Sequence, residues 1–486
     1  MSAKKVELEH RLAGEQQTLA LSLRALIRNA PVVCRGEQSV REAVAIMHEH
    51  GVGSVVVVDA DARPLGIFSE RDLVAAVACG ADTQCVAELM TRDPIALPAH
   101  AFAYEAALAM IANRIRHVLV TDDEKLFGVV SERDLFSLQR LGLGELTTEI
   151  RLAADVPILE NIAAEIRKLT RLLVEQGVAA EQLTLYVSVL NDRLCQRVLE
   201  VVRKRHQWEQ ISWCWLGFGS EGRLEQTFST DQDNGIIFTA HDGAAPDAVR
   251  ARLLPFAREV NEALDACGFR WCKGNVMASN PELCLSAEEW RRKMGGWLEK
   301  WEAKALLEAT IYFDFRALYG DATLATDLRR WMLERTRAHS AFLHQMGKNA
   351  LQSRPPLGTL RDFVTEDAPD APHSIDLKGS GVRLFTDVAR IFTLAQGLPQ
   401  TNTVERLRAA GPGSRMSPAD IDATVDAFLF IQRLRLRHQA SQEELAEGSA
   451  NRIDPDKLNE LDRHTLKEAF RLARKLQQRL ALAYQL

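Results

Sequence analysis

An internal repeat constrains the fold of this chain more than any other feature of its 486 residues. Pro31, Glu42-Ala43, Met47 and Asp59 recur 63 positions later as Pro94, Glu105-Ala106, Met110 and Asp122. After a one-residue deletion, Gly66-Ile67-Phe68-Ser69-Glu70-Arg71-Asp72-Leu73 recurs 62 positions on as Gly128-Val129-Val130-Ser131-Glu132-Arg133-Asp134-Leu135. Each copy reads as a helix (40–50; 103–113), an apolar strand (54–59; 117–121), a turn, a second strand ending at Ser69 or Ser131, and a helix. That is a β-α-β-β-α unit, and two copies of about 60 residues make a paired module rather than a solenoid.

The rest of the chain is too long for one core at roughly 100 to 200 residues per domain. Helical periodicity runs through residues 145–207, as in Ile158, Ile162, Ile166 and Leu169, then Leu190, Leu194 and Val198. Strands carrying unusual polar residues follow from Ile211 to about Tyr319. From Ala322 onward the pattern is almost all helical, broken by Pro- and Gly-containing loops at 354–358, 367–373 and 410–418. The expected division is a helical leader (1–24), the repeat pair (25–142), an α/β segment (143–320) and a helical segment (321–486).

With 47% hydrophobic and 26% charged residues every part is expected to fold. A net charge of −6 excludes general binding of nucleic acid or anionic membrane. No apolar stretch approaches the roughly 20 residues of a membrane span, and the start lacks the apolar centre of a signal peptide. Eight scattered cysteines without a CxxC pair fit a reducing compartment, so a cytoplasmic protein is expected.

The chemistry is concentrated in residues 211–238. An apolar strand runs into Gly219-Ser220, which opens a short helix; a second strand then carries Asp231 and Asp233 before Ile236-Ile237-Phe238. Glycine lets the backbone approach a ligand, and the Ser220 hydroxyl with helix-start N–H groups can hold phosphate oxygens. Asp231 and Asp233, two apart in a strand, point to one side and can jointly hold divalent cations. This is half of a two-metal phosphoryl-transfer site. The candidate third acid is Asp314, in a segment read as a strand (310–318) with Ile311, Phe313 and Phe315 on one face and Asp314 and Arg316 on the other. An Asp314–Arg316 ion pair at a sheet edge is the alternative there.

The order, the length and the two Ser-Glu-Arg-Asp-Leu segments make the repeat resemble a tandem pair of CBS domains. Residues 211–238 resemble the DNA polymerase β-type nucleotidyltransferase superfamily, whose pattern is Gly-Ser, a helix, Asp-x-Asp and a distant third Asp. The string 219–234 is similar to bacterial proteins that join CBS domains to a nucleotidyltransferase domain of the DUF294 type, related to the uridylyltransferase of the PII protein. Segments 272–277 with Trp290, 313–316, 375–378 and 401–406 look like further recurring patterns of that group. The fold class implied is α/β and α: a CBS pair, a polymerase β-like α/β domain and a C-terminal helical domain.

The resemblance implies a transferase moving a nucleoside monophosphate from an NTP to a protein or small-molecule acceptor. Gly219 and Ser220 would meet the phosphates, Asp231 and Asp233 would hold Mg²⁺ (or Mn²⁺), and Asp314 would be the third metal carboxylate near the attacking group. Arg223 and Gln226, one helical turn apart, would line the same pocket. Ser69, Asp72, Ser131 and Asp134 would bind AMP or ATP at the CBS pair, and a homodimer is expected. Ser-x-x-Asp equally describes a helix cap, so both readings stand. The alternative function is a non-catalytic signalling protein that senses adenine nucleotides.

Smaller features have plainer readings. Arg463, Lys467, Arg471 and Lys475 form a basic stripe, either a solvated face or a dock for an acidic partner. Lys378, Arg383, Arg390 and Arg406 can serve an acceptor or the triphosphate, or form salt bridges. Cys267, Cys272 and Cys284 read as structural thiols, and the tryptophans clustered between 213 and 301 as core.

Overall fold

The computed structural model describes residues 22–27, 30–78, 84–113, 115–131, 143–175, 177–206, 211–228, 231–240, 245–358, 363–369, 371–441 and 449–486. The chain divides into two compact units, Met1–Thr148 and Glu149–Leu486. Among the described residues no helix is long and apolar enough to cross a membrane.

In the first unit, copy one contains β1 (Val33–Arg35), α1 (Val40–His50), β2 (Ser54–Val58), β3 (Pro64–Ser69), α2 (Glu70–Ala78) and β4 (Thr91–Arg92). Copy two contains β5 (Ala96–Pro98), α3 (Ala103–Asn113), β6 (His117–Asp122) and β7 (Lys125–Ser131). The sheets are ordered β1-β2-β3-β4 and β5-β6-β7. Helix α1 starts on a capping box in which Ser39 and Glu42 satisfy each other's backbone N–H groups.

The uninterrupted valines of β2 have a physical cause. Val55 and Val57 pack with Val40, Ala43 and Met47, whereas Val56 and Val58 pack with Leu119, so both faces of the strand are buried. The copies are also interlaced. Leu23 N donates to Ala101 O and Arg24 N to Ala99 O, and Leu23 sits fully buried with Met110, Val118 and Val130. Residues 22–27, expected to belong to a leader or to copy one, thus complete copy two. In return the linker residues Val86 and Leu89 pack into copy one, and β4 pairs with β3.

Helix α4 (Leu143–Leu152) spans the boundary between the units; in the second unit, α5 (Val156–Glu175) and α6 (Ala180–Arg203) precede the central sheet. The buried stripe of α5 includes Leu159, Ile162 and Ile166; Ile158, expected on it, is exposed. The sheet comprises β8 (Ser212–Gly217), β9 (Asn234–Thr239), β10 (Cys284–Ser286) and β11 (Arg316–Gly320) in the order β10-β9-β8-β11. β10 lies parallel to β9, and the other pairings are antiparallel. Helices α7 (Pro246–Ala266), α8 (Ala287–Glu299) and α9 (Ala303–Tyr312) lie between its strands in the chain.

The C-terminal part contains α10 (Ala322–Ala338), α11 (Ser340–Ala350), α12 (Arg383–Gln396), α13 (Thr403–Ala410), α14 (Pro418–Ala440) and α15 (Glu460–Tyr484). It also holds a small sheet that helical periodicity does not reveal, β12 (Glu366–Ala368), β13 (Ala371–Asp376) and β14 (Arg452–Ile453). One hydrophobic core runs from Cys214 and Leu216 through Trp290 and Phe313 to Phe385 and Leu480. The segments expected on either side of residue 320 therefore share a single interior.

The interlacing makes Leu23 part of copy two. Leu23→Ala should cost that copy about 2–5 kcal/mol, read as faster hydrogen exchange at the β6 and β7 amides than at the β2 amides.

Candidate functional site

Asp231 and Asp233, expected within a strand, instead lie just ahead of β9, which begins at Asn234; Asp231 forms only an isolated bridge with Arg270, and the side chains of 231–234 alternate between two faces. Gln232 Nε2 donates to the carbonyls of Asn261 and Phe269, both at 2.9 Å. Asn261 Nδ2 donates to Gln232 Oε1 at 2.7 Å and to Asn234 Oδ1 at 3.0 Å, while Ala278 N donates to Asn234 Oδ1 at 2.8 Å. Three buried amides thus satisfy one another, and this lock turns the alternate residues, Asp231 and Asp233, outward. Asp231 is exposed and Asp233 half-buried. Neither carboxylate has an ion-pair partner among the described residues.

Gly219 supplies the opposing wall. Its φ of +57° lies in the left-handed region, and a Cβ there would stand 3.1 Å from Asp233 Oδ2. The carboxylate is therefore seated against the glycine backbone. Phe218 N donates to Asp233 O at 2.8 Å, tying the end of β8 to the start of β9. Ser220, half-buried, stands next in the same turn. Two carboxylates with no cationic partner, beside a close-approach glycine and a serine hydroxyl, fit hard divalent cations such as Mg²⁺.

Burial pushes the Asp233 carboxyl up to about 6, and Asp231 adds to the rise; the Cys272 thiol, Lys378 and Arg223 oppose it. Cys272, read from sequence as a structural thiol, thus donates to Asp233 and belongs to this site. Beneath the turn, burial together with Asp192 and Asp233 raises Glu221 to about 8, against the pull of Arg316. Arg316 itself donates to Asp192 Oδ1 at 2.6 Å and to the Glu221 carbonyl at 2.9 Å.

Asp314 has a different position from the one expected. The segment 310–318 is not one strand: α9 ends at Tyr312, β11 begins at Arg316, and Asp314 occupies the junction. Its side chain is fully buried among three guanidinium groups. Arg390 donates to both oxygens at 3.0 and 2.8 Å, Arg406 to Oδ1 at 2.6 Å and Arg223 to Oδ2 at 2.8 Å. Burial alone would raise this carboxyl, but Arg390, Arg406 and Arg223 outweigh it and hold Asp314 well below the usual range. Its oxygens are spent, and among the described residues it forms no three-ligand cluster with Asp231 and Asp233. Nor does it pair with Arg316, which takes Asp192 instead.

The helix after Gly219 is also shorter than expected. It stops at Gly222, and Leu224 has a φ of +58°. Arg223 and Gln226 consequently do not share a face. Arg223 is bound by Asp314 and by Glu225, at 2.8 Å each. Gln226 is buried against α6, where Asn191 and Ser188 contact it, so it does not line the carboxylate pocket.

In the first unit, Asp72 Oδ2 accepts from Ser69 N at 2.8 Å and from Ser69 Oγ at 2.7 Å. The pair sits where β3 meets α2, engaged as a helix cap. Ser131 occupies the matching end of β7, and Asp134 lies outside the described residues. The basic stripe on α15 is ion-paired, with Arg463 to Asp456, Arg471 to Glu468 and Lys475 to Asp420. Trp215 and Trp290 are fully buried.

Comparison with known proteins gives matches along most of the chain. Residues 164–304 match the family described as "Putative nucleotidyltransferase DUF294", and residues 340–484 match the "Putative nucleotidyltransferase substrate binding domain". Residues 23–79 and 86–140 match the CBS domain. An uncharacterized 17.7 kDa protein of Acidianus ambivalens is 35% identical over 21% of this chain and 63% of its own length, so less than two thirds of that relative is covered. Hypoxic response protein 1 of Mycobacterium tuberculosis is 33% identical over 22% of this chain and 79% of that protein. A CBS domain protein of Pyrobaculum aerophilum, solved with AMP, is 30% identical over 26% of this chain and 99% of that chain, with a TM-score of 0.24.

Two measurements check the geometry. Asp314→Asn removes one charge from a buried cluster and should cost about 3–5 kcal/mol in urea unfolding, whereas Asp231→Asn, exposed and unpaired, should change stability by about 0.5 kcal/mol or less. Glu221 binds its proton more tightly folded than unfolded, so its contribution to stability falls as pH rises from about 4.5 through about 8. Glu221→Gln should therefore raise the melting temperature more at pH 8.5 than at pH 6.

Proposed function

We propose, for a chain that belongs to the CBS-containing DUF294 nucleotidyltransferase family, that it moves a nucleoside monophosphate from a Mg²⁺-bound NTP to a hydroxyl of a protein or small-molecule acceptor. The observation that carries this reading is the pair Asp231 and Asp233, turned outward by the Gln232–Asn234–Asn261 lock and set against Gly219. A purely structural loop has no use for two adjacent unpaired acids at a close-approach glycine.

In this reading Asp231 and Asp233 hold the cation, and the Ser220 hydroxyl donates to a phosphate oxygen. Bound Mg²⁺ would neutralise phosphate charge and polarise the phosphorus. The acceptor hydroxyl oxygen then forms a bond to the α-phosphorus as the bond from that phosphorus to the bridging oxygen of the β-phosphate breaks; the hydroxyl proton passes to solvent, and pyrophosphate leaves. Asp314 takes no proton here, because three guanidinium groups occupy it. It positions Arg223 and the helical half instead. The resemblance of segment 219–234 to proteins related to the PII uridylyltransferase favours a protein acceptor. We place an adenosine nucleotide at the CBS pair as the regulatory ligand, with Asp72 turned to the ribose.

The withdrawal of Asp314 leaves two unpaired acids rather than three, and this favours one competing reading, nucleotide binding and signalling without turnover. Incubation with each labelled NTP and a cell extract separates the two. Transfer of label and release of pyrophosphate should require Mg²⁺ and fall at least about a thousandfold, the equivalent of roughly 4 kcal/mol, in Asp231→Asn/Asp233→Asn. Turnover that survives in the double variant overturns the transferase reading, and nucleotide binding without transfer supports the competing one.

A further inference from the structure

Among the described residues, one group of three side chains brings metal-ligating atoms within 4.8 Å of one another: His373, Asp454 and Asp456. It shares no residue with the carboxylate pair at 231 and 233. The three lie at the small sheet of the helical half, where β13 carries His373 and β14 ends one residue before Asp454. In this antiparallel pairing Ile375 faces Ile453 and Asp376 faces Arg452. The same register, continued along β13, sets His373 opposite Pro455, between the two aspartates.

Bonds from outside the triad hold its side chains in place. His373 has a left-handed backbone, with φ +51°, and its N–H donates to Asp367 Oδ1 at 2.9 Å. Its ring nitrogens face opposite ways: Nδ1 lies 3.0 Å from Thr365 Oγ1, and Nε2 lies 3.0 Å from Asp456 Oδ2. Arg463 donates to Asp456 Oδ1 at 2.7 Å, which leaves Oδ2 turned to the imidazole. Asp454 caps the turn Pro455–Lys457. Lys457 stands 3.7 Å from Asp454 Oδ2, but its side chain is 83% exposed and can swing into solvent.

The spacing suits an ion. Two ligand atoms about 2.1 Å from one metal stand roughly 3.0 Å apart in an octahedron and roughly 3.4 Å apart in a tetrahedron. The 3.0 Å between His373 Nε2 and Asp456 Oδ2 matches the first. Without a metal that contact is an exposed pair bridged by one proton, which contributes little to stability. The Thr365 hydroxyl can accept from Nδ1–H as well as donate to Nδ1. The ring can therefore give up its Nε2 proton and present a lone pair without turning.

The space beside the triad is a second, separate observation. His373 and Asp454 also line a cavity of about 660 Å³, and Arg437, Arg452 and Lys457 stand on its walls. Among the described residues lining it, Asp454 is the one carboxylate. Three protein ligands leave coordination positions open on an ion, and here water or an anion drawn by those cations can fill them from the cavity.

We infer that His373, Asp454 and Asp456 bind a divalent ion of the Zn²⁺, Co²⁺ or Mn²⁺ class, with its open positions facing this cavity. One imidazole with two carboxylates favours these ions over Mg²⁺, to which Asp231 and Asp233 offer oxygen alone. The site stands whether or not the chain transfers nucleotides.

Full-length protein carrying Asp231→Asn/Asp233→Asn, so that the carboxylate pocket is silent, is stripped with a chelator and titrated with Co²⁺ and with Zn²⁺. One equivalent should bind, and the Co²⁺ form should show the visible spectrum of nitrogen and oxygen ligation without an intense near-ultraviolet thiolate band. His373→Ala, Asp454→Asn and Asp456→Asn should each weaken binding about tenfold or more, with Asp454→Asn keeping the helix cap. Lys457→Ala should tighten binding by removing a competing charge, and Asp327→Asn, an exposed acid on α10, should leave it unchanged. The assignment is overturned if no Co²⁺ or Zn²⁺ binds, if affinity is unchanged in His373→Ala or in Asp454→Asn, or if the bound Co²⁺ shows the thiolate band.

Discussion

A single buried carboxylate, Asp314, organises the second unit. Taking one acid out of water among three guanidinium groups is tolerable only because every lone pair is used and the excess positive charge is answered nearby. Glu225 answers Arg223, and Asp387 answers Arg390. The three arginines come from three places: the loop after the Gly219 turn, helix α12 and helix α13. Asp314 is thus the point at which the sheet-bearing part and the helical part are pinned to each other. Gly222 shows how close the packing is, since a Cβ there would stand 1.9 Å from the Asp314 carbonyl oxygen.

The carboxylate pair depends on a different principle. The alternation of side chains leading into β9 puts Gln232 and Asn234 in the interior, where the hydrogen bonds of Asn261 offset their burial. The exposed position of Asp231 and the half-buried position of Asp233 follow from that, as does the contact of Asp233 with Gly219. Burial of Asp233, with no ion-paired cation at either acid among the described residues, leaves a negative field that a divalent ion can answer.

Much of this was legible in the residues. The repeat announced the paired module because a duplicated unit keeps its order even where its sequence drifts. The Gly-Ser element could be placed on a turn after a strand because local rules govern both, whereas the Asp-x-Asp pair, read as part of the next strand, lies just ahead of it, β9 beginning at Asn234. The role of Asp314 was not legible. Ile311, Phe313 and Phe315 alternate as a strand does, yet the same spacing describes a helix end running into a turn whose aromatic residues are all buried. Only the distant arginines, 76 and 92 residues away, decide between them. Gln226 was misplaced because the helix was read through Gly222, where it ends, and because the left-handed backbone that follows falls on Leu224, a residue type that does not announce it. In the small sheet, β12 and β13 form a local hairpin, but β13 pairs with β14 more than 70 residues on, beyond the reach of any local pattern.

The interlaced first unit has a consequence for how such a chain could arise. The stretch that recurs in the sequence and the stretch that closes on itself in space are out of step: copy two is finished by residues made before copy one, and copy one by residues made after it. Excising either repeat at its sequence boundary would strip an edge from the other. The two copies therefore form one indivisible unit, and the pair can be moved into another chain only as a whole.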